Sequence, residues 1–279
     1  MTRPRLVVGV SGSTTSTAAV QWAAVEAQLR GADLHVVLAH HWRIPGRHFK
    51  SRDELLRETG ERVTAILDTA LDLARSAAPD IHVQSSAEVG DPVPILLEAA
   101  ADADLLVVGG RRRGAPGPML TAVTSQIAAY ASCPVTVVRE GCDTGRNTVV
   151  VGLDDSPAAA ATARTAFEEA ALRPAASLLA VTAFTGPHGS DPPAEEAALH
   201  RRLGSELAPW RDKHPEVRLH YEVVGGDPGR VLVEKSREAG LVVVGAGSRP
   251  DFEGLRLGPI RLHLLHHAEC PVLIARAGG

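Results

Sequence analysis

The sequence predicts an α/β protein of two tandem, doubly wound domains, each a five-stranded parallel sheet with helices on both faces. Three observations predict it. First, the chain repeats itself: RLVVGVSGS (5–13) returns as NTVVVGLDDS (147–156), EVGDPVPILLEAAADADLLVVGG (88–110) as VVGGDPGRVLVEKSREAGLVVVGA (223–246), and CPVTVVRE (133–140) as CPVLIARA (270–277). Second, each copy alternates short apolar runs with stretches of helical period. Third, 279 residues suffice for two domains of about 140, each large enough to bury a core. The copies divide at EGCDTGRN (140–147), giving domains of 1–140 and 147–279.

Leu6 to Val10 is the first strand, and Val20, Ala23, Ala24 and Ala27 then recur at the helical period. Leu34 to Ala39 is the second strand, followed by a long helix carrying Val63, Ile66, Leu67, Ala70 and Ala74. The third strand is expected at Ile81 to Gln84; its twin shows clear alternation at Val217, Leu219, Tyr221 and Val223. Gly-Asp-Pro at 90–92 and 226–228 starts the third helix of each copy. Proline is tolerated in a first turn because the N–H it lacks would have no partner there. Strand four (Leu105 to Val108, Leu241 to Val244), a loop, a fourth helix and a last strand (Val135 to Val138, Val272 to Ile274) complete each unit. Ligands of such sheets bind at the carboxyl ends of the strands, near the point where strand order reverses.

Composition excludes several classes. Hydrophobic residues make up 44% and charged residues 22%, with a net charge of -4, an ordinary globular balance. A mildly acidic chain is a poor fit to general nucleic-acid binding. The longest apolar runs, such as Leu105 to Val108, are too short to cross a membrane. MTRPRLVVGV opens as a strand rather than a signal peptide, so a cytoplasmic location is expected. Three cysteines (Cys133, Cys142, Cys270) are too few for a disulfide framework and read as small buried thiols.

The repeated VVGVSGS and VVGLDDS, the Gly-Asp-Pro helix starts, the LLVVGG and VVVGA strands and the two Cys-Pro-Val endings together resemble the universal stress protein family in its tandem form. The resemblance spans nearly the whole chain. It implies a Rossmann-like, adenine nucleotide alpha hydrolase-like topology with strand order 3-2-1-4-5. It also implies pairing of the two domains through their last strands about a pseudo-two-fold axis, an intrachain mimic of a dimer to which a true homodimer could be added. Many members bind ATP; others lack the site. The ATP-binding pattern is an Asp after strand one, then Gly-x2-Gly-x9-Gly-Ser and a Ser or Thr two residues on. The carboxylate takes the adenosine part, the glycines admit phosphate, and the helix start neutralises it.

Transferred residue by residue, the second half keeps Asp154 in the Asp position, with Gly245, Ser248 and Gly258 in the three loop positions. Ser248 replaces a glycine, and Pro259 removes both a hydroxyl and an N–H. Arg261 stands at the Ser/Thr position, with two roles open to it: facing a phosphate, or covering the pocket through a bond to Asp154. The first half has drifted further. Ser11 replaces the Asp, Arg112 the second glycine, and a loop one residue short puts Thr121 and Ala122 at the Gly-Ser position, so that only Thr124 matches. ATP is therefore expected weakly in the second half or not at all, with Mg²⁺ only as its companion. The run Arg111 to Arg113 reads as solvated surface.

Remaining constellations carry less. His263, His266 and His267 share a helix face without an acidic or thiol group at ligand spacing beyond Glu269 and Cys270, so no metal is assigned. His40, His41 and His48 read as a polar loop or as ligand contacts. GVSGS (9–13) lacks the last glycine of a nucleophile elbow, and no acid, base and nucleophile assemble elsewhere, so no enzyme is expected. Two readings remain: a stress-response module with a residual nucleotide site at Asp154, Gly245, Ser248, Gly258 and Arg261, or an interaction scaffold that binds no nucleotide. Protein partners are not legible.

Overall fold

A computed structural model of the chain describes residues 3–40, 52–110, 122–142, 146–174, 177–184, 192–246 and 257–276. The first half runs β1 (Arg5–Val10), α1 (Thr14–Arg30), β2 (Asp33–His40), α2 (Arg52–Ala77), β3 (Val83–Val89), α3 (Pro92–Ala99), β4 (Leu105–Gly110), α4 (Ala122–Tyr130) and β5 (Val135–Arg139). The second repeats it as β6 (Val149–Gly152), α5 (Ala159–Ala171), β7 (Ser177–Phe184), α6 (Pro192–Lys213), β8 (Arg218–Gly225), α7 (Pro228–Lys235), β9 (Leu241–Gly245), α8 (Pro259–His267) and β10 (Val272–Ala275).

All ten strands form one sheet in the order β3-β2-β1-β4-β5-β10-β9-β6-β7-β8. Each half therefore has the 3-2-1-4-5 order, and the halves join where β5 meets β10 antiparallel, with Val137 opposite Val272 and Val135 opposite Ile274. This junction removes the exposed edge that each last strand would otherwise present. Leu105 to Val108 and Leu241 to Val244 are buried throughout. Parallel strands covered on both faces need continuous rather than alternating apolar runs. One core packs α1, α2, α5 and α6 on one face; a second packs α3, α4, α7 and α8 on the other. Both cores draw residues from both halves.

Local signals explain the element ends. Asp91 and Asp227 cap α3 and α7, accepting the backbone N–H of Val93 and Arg230, each with proline in the first turn. Gly31 ends α1 at φ 61, the left-handed conformation that glycine adopts without a Cβ clash. The third strand departs from expectation: it begins at Val83 and runs to Val89 rather than covering Ile81 to Gln84. Ile81 belongs to the turn after α2, its N–H bonded to the Ala78 carbonyl. The ladder then continues through polar Ser85 to Glu88 because β2 supplies partners as far as His40.

Polar contacts knit the halves across the pseudo-two-fold. Glu26 and Arg30 of α1 meet Glu169 and Arg173 of α5: Arg173 pairs with Glu26 at 2.7 Å and Arg30 with Glu169. Both carboxylates are buried. Burial first, then Glu169, pushes the Glu26 carboxyl up to about 7. Burial would also raise Glu169, but Arg30 and Arg173 outweigh it and hold that carboxyl below its ordinary value. Arg139, the last residue of β5, donates to the Ala268 carbonyl at the end of α8, and Arg276, just after β10, donates to the Ala128 carbonyl in α4. Each half thus places a cation at the negative end of the other's last helix.

Candidate functional site

The carboxyl ends of β6 and β9 are the switch point of the second half, since the chain leaves β6 for β7 on one side while β9 lies on the other. Gly152 ends β6 hard against α7: a Cβ there would stand 2.6 Å from Leu232 Cδ1. Asp154 follows in the loop, exposed, its Oδ1 accepting the Ser156 N–H at 3.1 Å. Gly245 ends β9, where a Cβ would meet Thr162 Oγ1 at 2.6 Å. Gly258 caps α8 with φ -65 and ψ 163, an extended conformation open to any residue. Pro259 is the first helical residue and contributes no N–H.

These residues surround one cavity of about 270 Å³. Asp154, Ser156, Gly245, Gly258 and Arg261 line its polar side, and Val181, Ala183, Leu232 and Val244 its apolar side. Of the predicted residues, Asp154, Gly245, Gly258 and Arg261 share this cavity; Ser248 lies outside the described residues. Arg261 Nε donates to the Gly245 carbonyl at 2.5 Å, tying the start of α8 to the end of β9. In the first half Thr124 makes the equivalent tie, its hydroxyl donating to the Gly109 carbonyl at 3.1 Å. The arginine keeps the structural duty of the hydroxyl residue it replaces. That bond uses one of five guanidinium donors, so the tie is compatible with a role toward an anion.

The first half is built differently at the same place. Ser13 caps α1, which starts at Thr14, whereas α5 starts at Ala159, two positions later in the repeat. The two added residues pack on β4: a Cβ on Gly109 would lie 2.7 Å from the backbone carbonyl oxygen of Thr15, whereas the nearest atom to one on Gly245 belongs to a side chain, Thr162 Oγ1 at 2.6 Å, with Ala158 Cβ at 3.8 Å. Ser11 bonds Ser13 at 3.0 Å. The cavity beside Ser11, about 320 Å³, opens between α1 and α2, on the other side of the loop from α3 and α4. Thr121, Arg112, Arg113, His41 and His48 lie outside the described residues, as does Arg111.

Sequence reasoning missed two features. Thr162 packs on Gly245 while its hydroxyl donates to the Ala158 carbonyl; nothing in the linear pattern marks it. The buried Glu26, Arg30, Glu169 and Arg173 cluster had a signal, an i,i+4 Glu-Arg pair recurring at the same repeat position. The histidines of α8 pack together, with His263 and His267 rings 4.5 Å apart and His263 seated against Gly229 of α7. Burial, then Arg139 and His263, lowers the His266 pKa. Cys133 and Cys270 are buried thiols, and Cys142 is half-buried; burial pushes Cys133 up to about 11.

A model of the universal stress protein family matches residues 2–139 and again 145–276. The chain belongs to the universal stress protein family. Universal stress protein Rv2005c of Mycobacterium tuberculosis is 33% identical over 296 aligned residues, covering 99% of both chains. Universal stress protein Rv2623 of the same species is 30% identical, covering 97% of this chain and 96% of its own. A universal stress protein from Archaeoglobus fulgidus superposes with a TM-score of 0.73 at 16% identity over 99% of each chain, a likeness of fold. The tandem stress-protein architecture therefore extends through the whole chain. Among the described residues no helix is long and apolar enough to cross a membrane.

Proposed function

We propose that this universal stress protein is a stress-response binding module holding one adenine nucleotide in its second half, in the cavity between β6, β9, α7 and α8. One observation carries the reading: Asp154, Gly245 and Gly258, distant in sequence and matched to the family's ATP pattern, line a single cavity at the switch point together with Arg261, which stands at the pattern's Ser/Thr position. The apolar wall of Val181, Ala183, Leu232 and Val244 suits a planar base. Asp154 suits the ribose hydroxyls, and Arg261 with the start of α8 suits phosphate. Mg²⁺ enters only with a polyphosphate. The role read here is binding: the described lining supplies a carboxylate, an apolar wall and a cation, the parts that hold a nucleotide.

A second reading, a scaffold that binds no nucleotide, is favoured by Pro259, which removes a phosphate donor where the family pattern has Ser. Native mass spectrometry of the purified chain separates the two. The nucleotide reading expects up to one adenine nucleotide per chain, retained by wild type and absent from Asp154→Ala. A chain that stays bare when incubated with millimolar AMP and ATP supports the scaffold.

A further inference from the structure

The cavity of the first half, about 320 Å³, lies between α1 and α2, with the turn after β1 at one end. Its wall is aliphatic: Val10, Val20, Ile66, Ala70 and Leu73 face it, and its described lining holds no aromatic ring and no carboxylate. The hydroxyls of Ser16 and Thr17 donate to the Ser13 carbonyl, and that of Thr69 to the Ala65 carbonyl. These lining donors are spent on helix backbone. Arg62, exposed, is the one cation of the described lining, and its guanidinium has no partner among the described residues. The hollow is thus an aliphatic slot with a single cation at its rim.

The second copy fills the same place with ions. Val83 of β3 and Leu219 of β8 occupy matching positions, opposite Leu34 and Leu178. Counting back through the matching turns, where Ile81 bonds Ala78 and Val217 bonds His214, sets Ile66 and Ala70 of α2 against Arg202 and Glu206 of α6. Leu6 and Val149 match beside Leu105 and Leu241, which sets Gly12 against Asp155. Geometry agrees with the count: a Cβ on Gly12 would meet Ile66 at 2.9 Å, and Arg202 reaches Asp155 at 3.7 Å. Arg202 also pairs with Glu206 at 2.7 Å. An Asp-Arg-Glu chain therefore bridges loop and helix in one copy, while glycine, isoleucine and alanine line a hollow in the other. The fold alone does not dictate the hollow, since both copies fold alike.

We propose that the hollow between α1 and α2 is a binding site for a medium-chain aliphatic carboxylate. Its chain lies against Val20, Ile66 and Leu73, and its carboxylate meets Arg62. An aliphatic wall with a few polar groups at the rim is the usual make-up of a small-molecule site, and a guanidinium fork matches a carboxylate. The test is calorimetric titration of octanoate into the full chain, with uncharged octanamide and the shorter butanoate as comparisons. Octanoate is expected to bind once per chain, with octanamide about fivefold weaker, the scale of an exposed ion pair. Butanoate, which buries four fewer methylenes, should be at least about a hundredfold weaker. Arg62→Gln should weaken octanoate about fivefold and leave octanamide unchanged; the position is exposed, so Tm should match wild type. Ile66→Arg combined with Ala70→Glu, which installs the ion pair of the other copy, should abolish binding of both ligands. Millimolar AMP should leave octanoate affinity unchanged, as should Asp154→Ala. Absence of binding to wild type at millimolar octanoate, equal affinity for octanamide or butanoate, indifference to Arg62→Gln, or competition by AMP would each overturn the proposal.

Discussion

Pro259 and Arg261 are the two residues at the proposed nucleotide site that depart most from the family's ATP pattern. Proline at the first position of α8 suits the helix, since its fixed φ is pre-organised for the first turn. It also withholds a donor where the family pattern supplies two. Arg261 keeps α8 tied to β9 through the Gly245 carbonyl. Pro259→Ser should therefore raise adenine nucleotide affinity, because a hydrogen bond to a charged group contributes about 1.5–3 kcal/mol and roughly 1.4 kcal/mol is tenfold. A gain of about ten- to a hundredfold is expected by calorimetry; an unchanged or lower affinity would show that the proline is not what weakens the site. The Arg261 tie could not be read from sequence, which left the residue two other roles, facing a phosphate or bonding Asp154. Only the shared partner, the carbonyl at the end of strand four, reveals the substitution as a replacement in kind.

At the scale of elements, what was legible followed from burial. Leu105 to Val108 and Leu241 to Val244 read as strands because both sheet faces are covered, and Asp91 and Asp227 marked helix starts because capping chemistry is local. The polar half of β3 was not legible, since its ladder is dictated by β2 rather than by its own side chains. Contact between α1 and β4 was equally hidden, and it can be tested: Gly109→Ala places a Cβ 2.7 Å from a backbone oxygen of Thr15. Because backbone must move, the expected cost is roughly 1–3 kcal/mol in urea unfolding; a neutral result would refute the close approach. The α1–α5 seam makes a pH prediction. Glu26 is raised to about 7 from 4.5, so the folded state holds its proton more tightly than the unfolded chain. The stability this confers is complete below about pH 4.5 and lost as pH rises through 7, with a slope of at most about 1.4 kcal/mol per pH unit. Tm should fall between pH 5 and 8 in wild type and fall less in Glu26→Gln. Facing Glu26 are Glu169, Arg173 and Arg30; Glu169 is lowered, so its titration lies below this window. Parallel Tm profiles for the two proteins would contradict the assignment.

For the whole molecule, one sheet and two cores make the halves structurally alike, yet their strand ends have parted. The second half keeps a cavity over Asp154, while the first half lets the start of α1 close on Gly109. This divergence was legible in Ser11 against Asp154 and in the shortened first loop; the two-residue earlier start of α1 that accompanies it was not, because Ser13 to Ser16 are all residues that can cap a helix. Duplication has thus left the two strand-end positions with different surroundings. The central claim is a single adenine nucleotide site per chain, in the second half. Calorimetric titration of AMP and ATP into wild type, Asp154→Ala and Ser11→Ala tests it most directly. The expected result is one site per chain, lost in Asp154→Ala and unchanged in Ser11→Ala; two equal sites, or binding that survives Asp154→Ala, would contradict it.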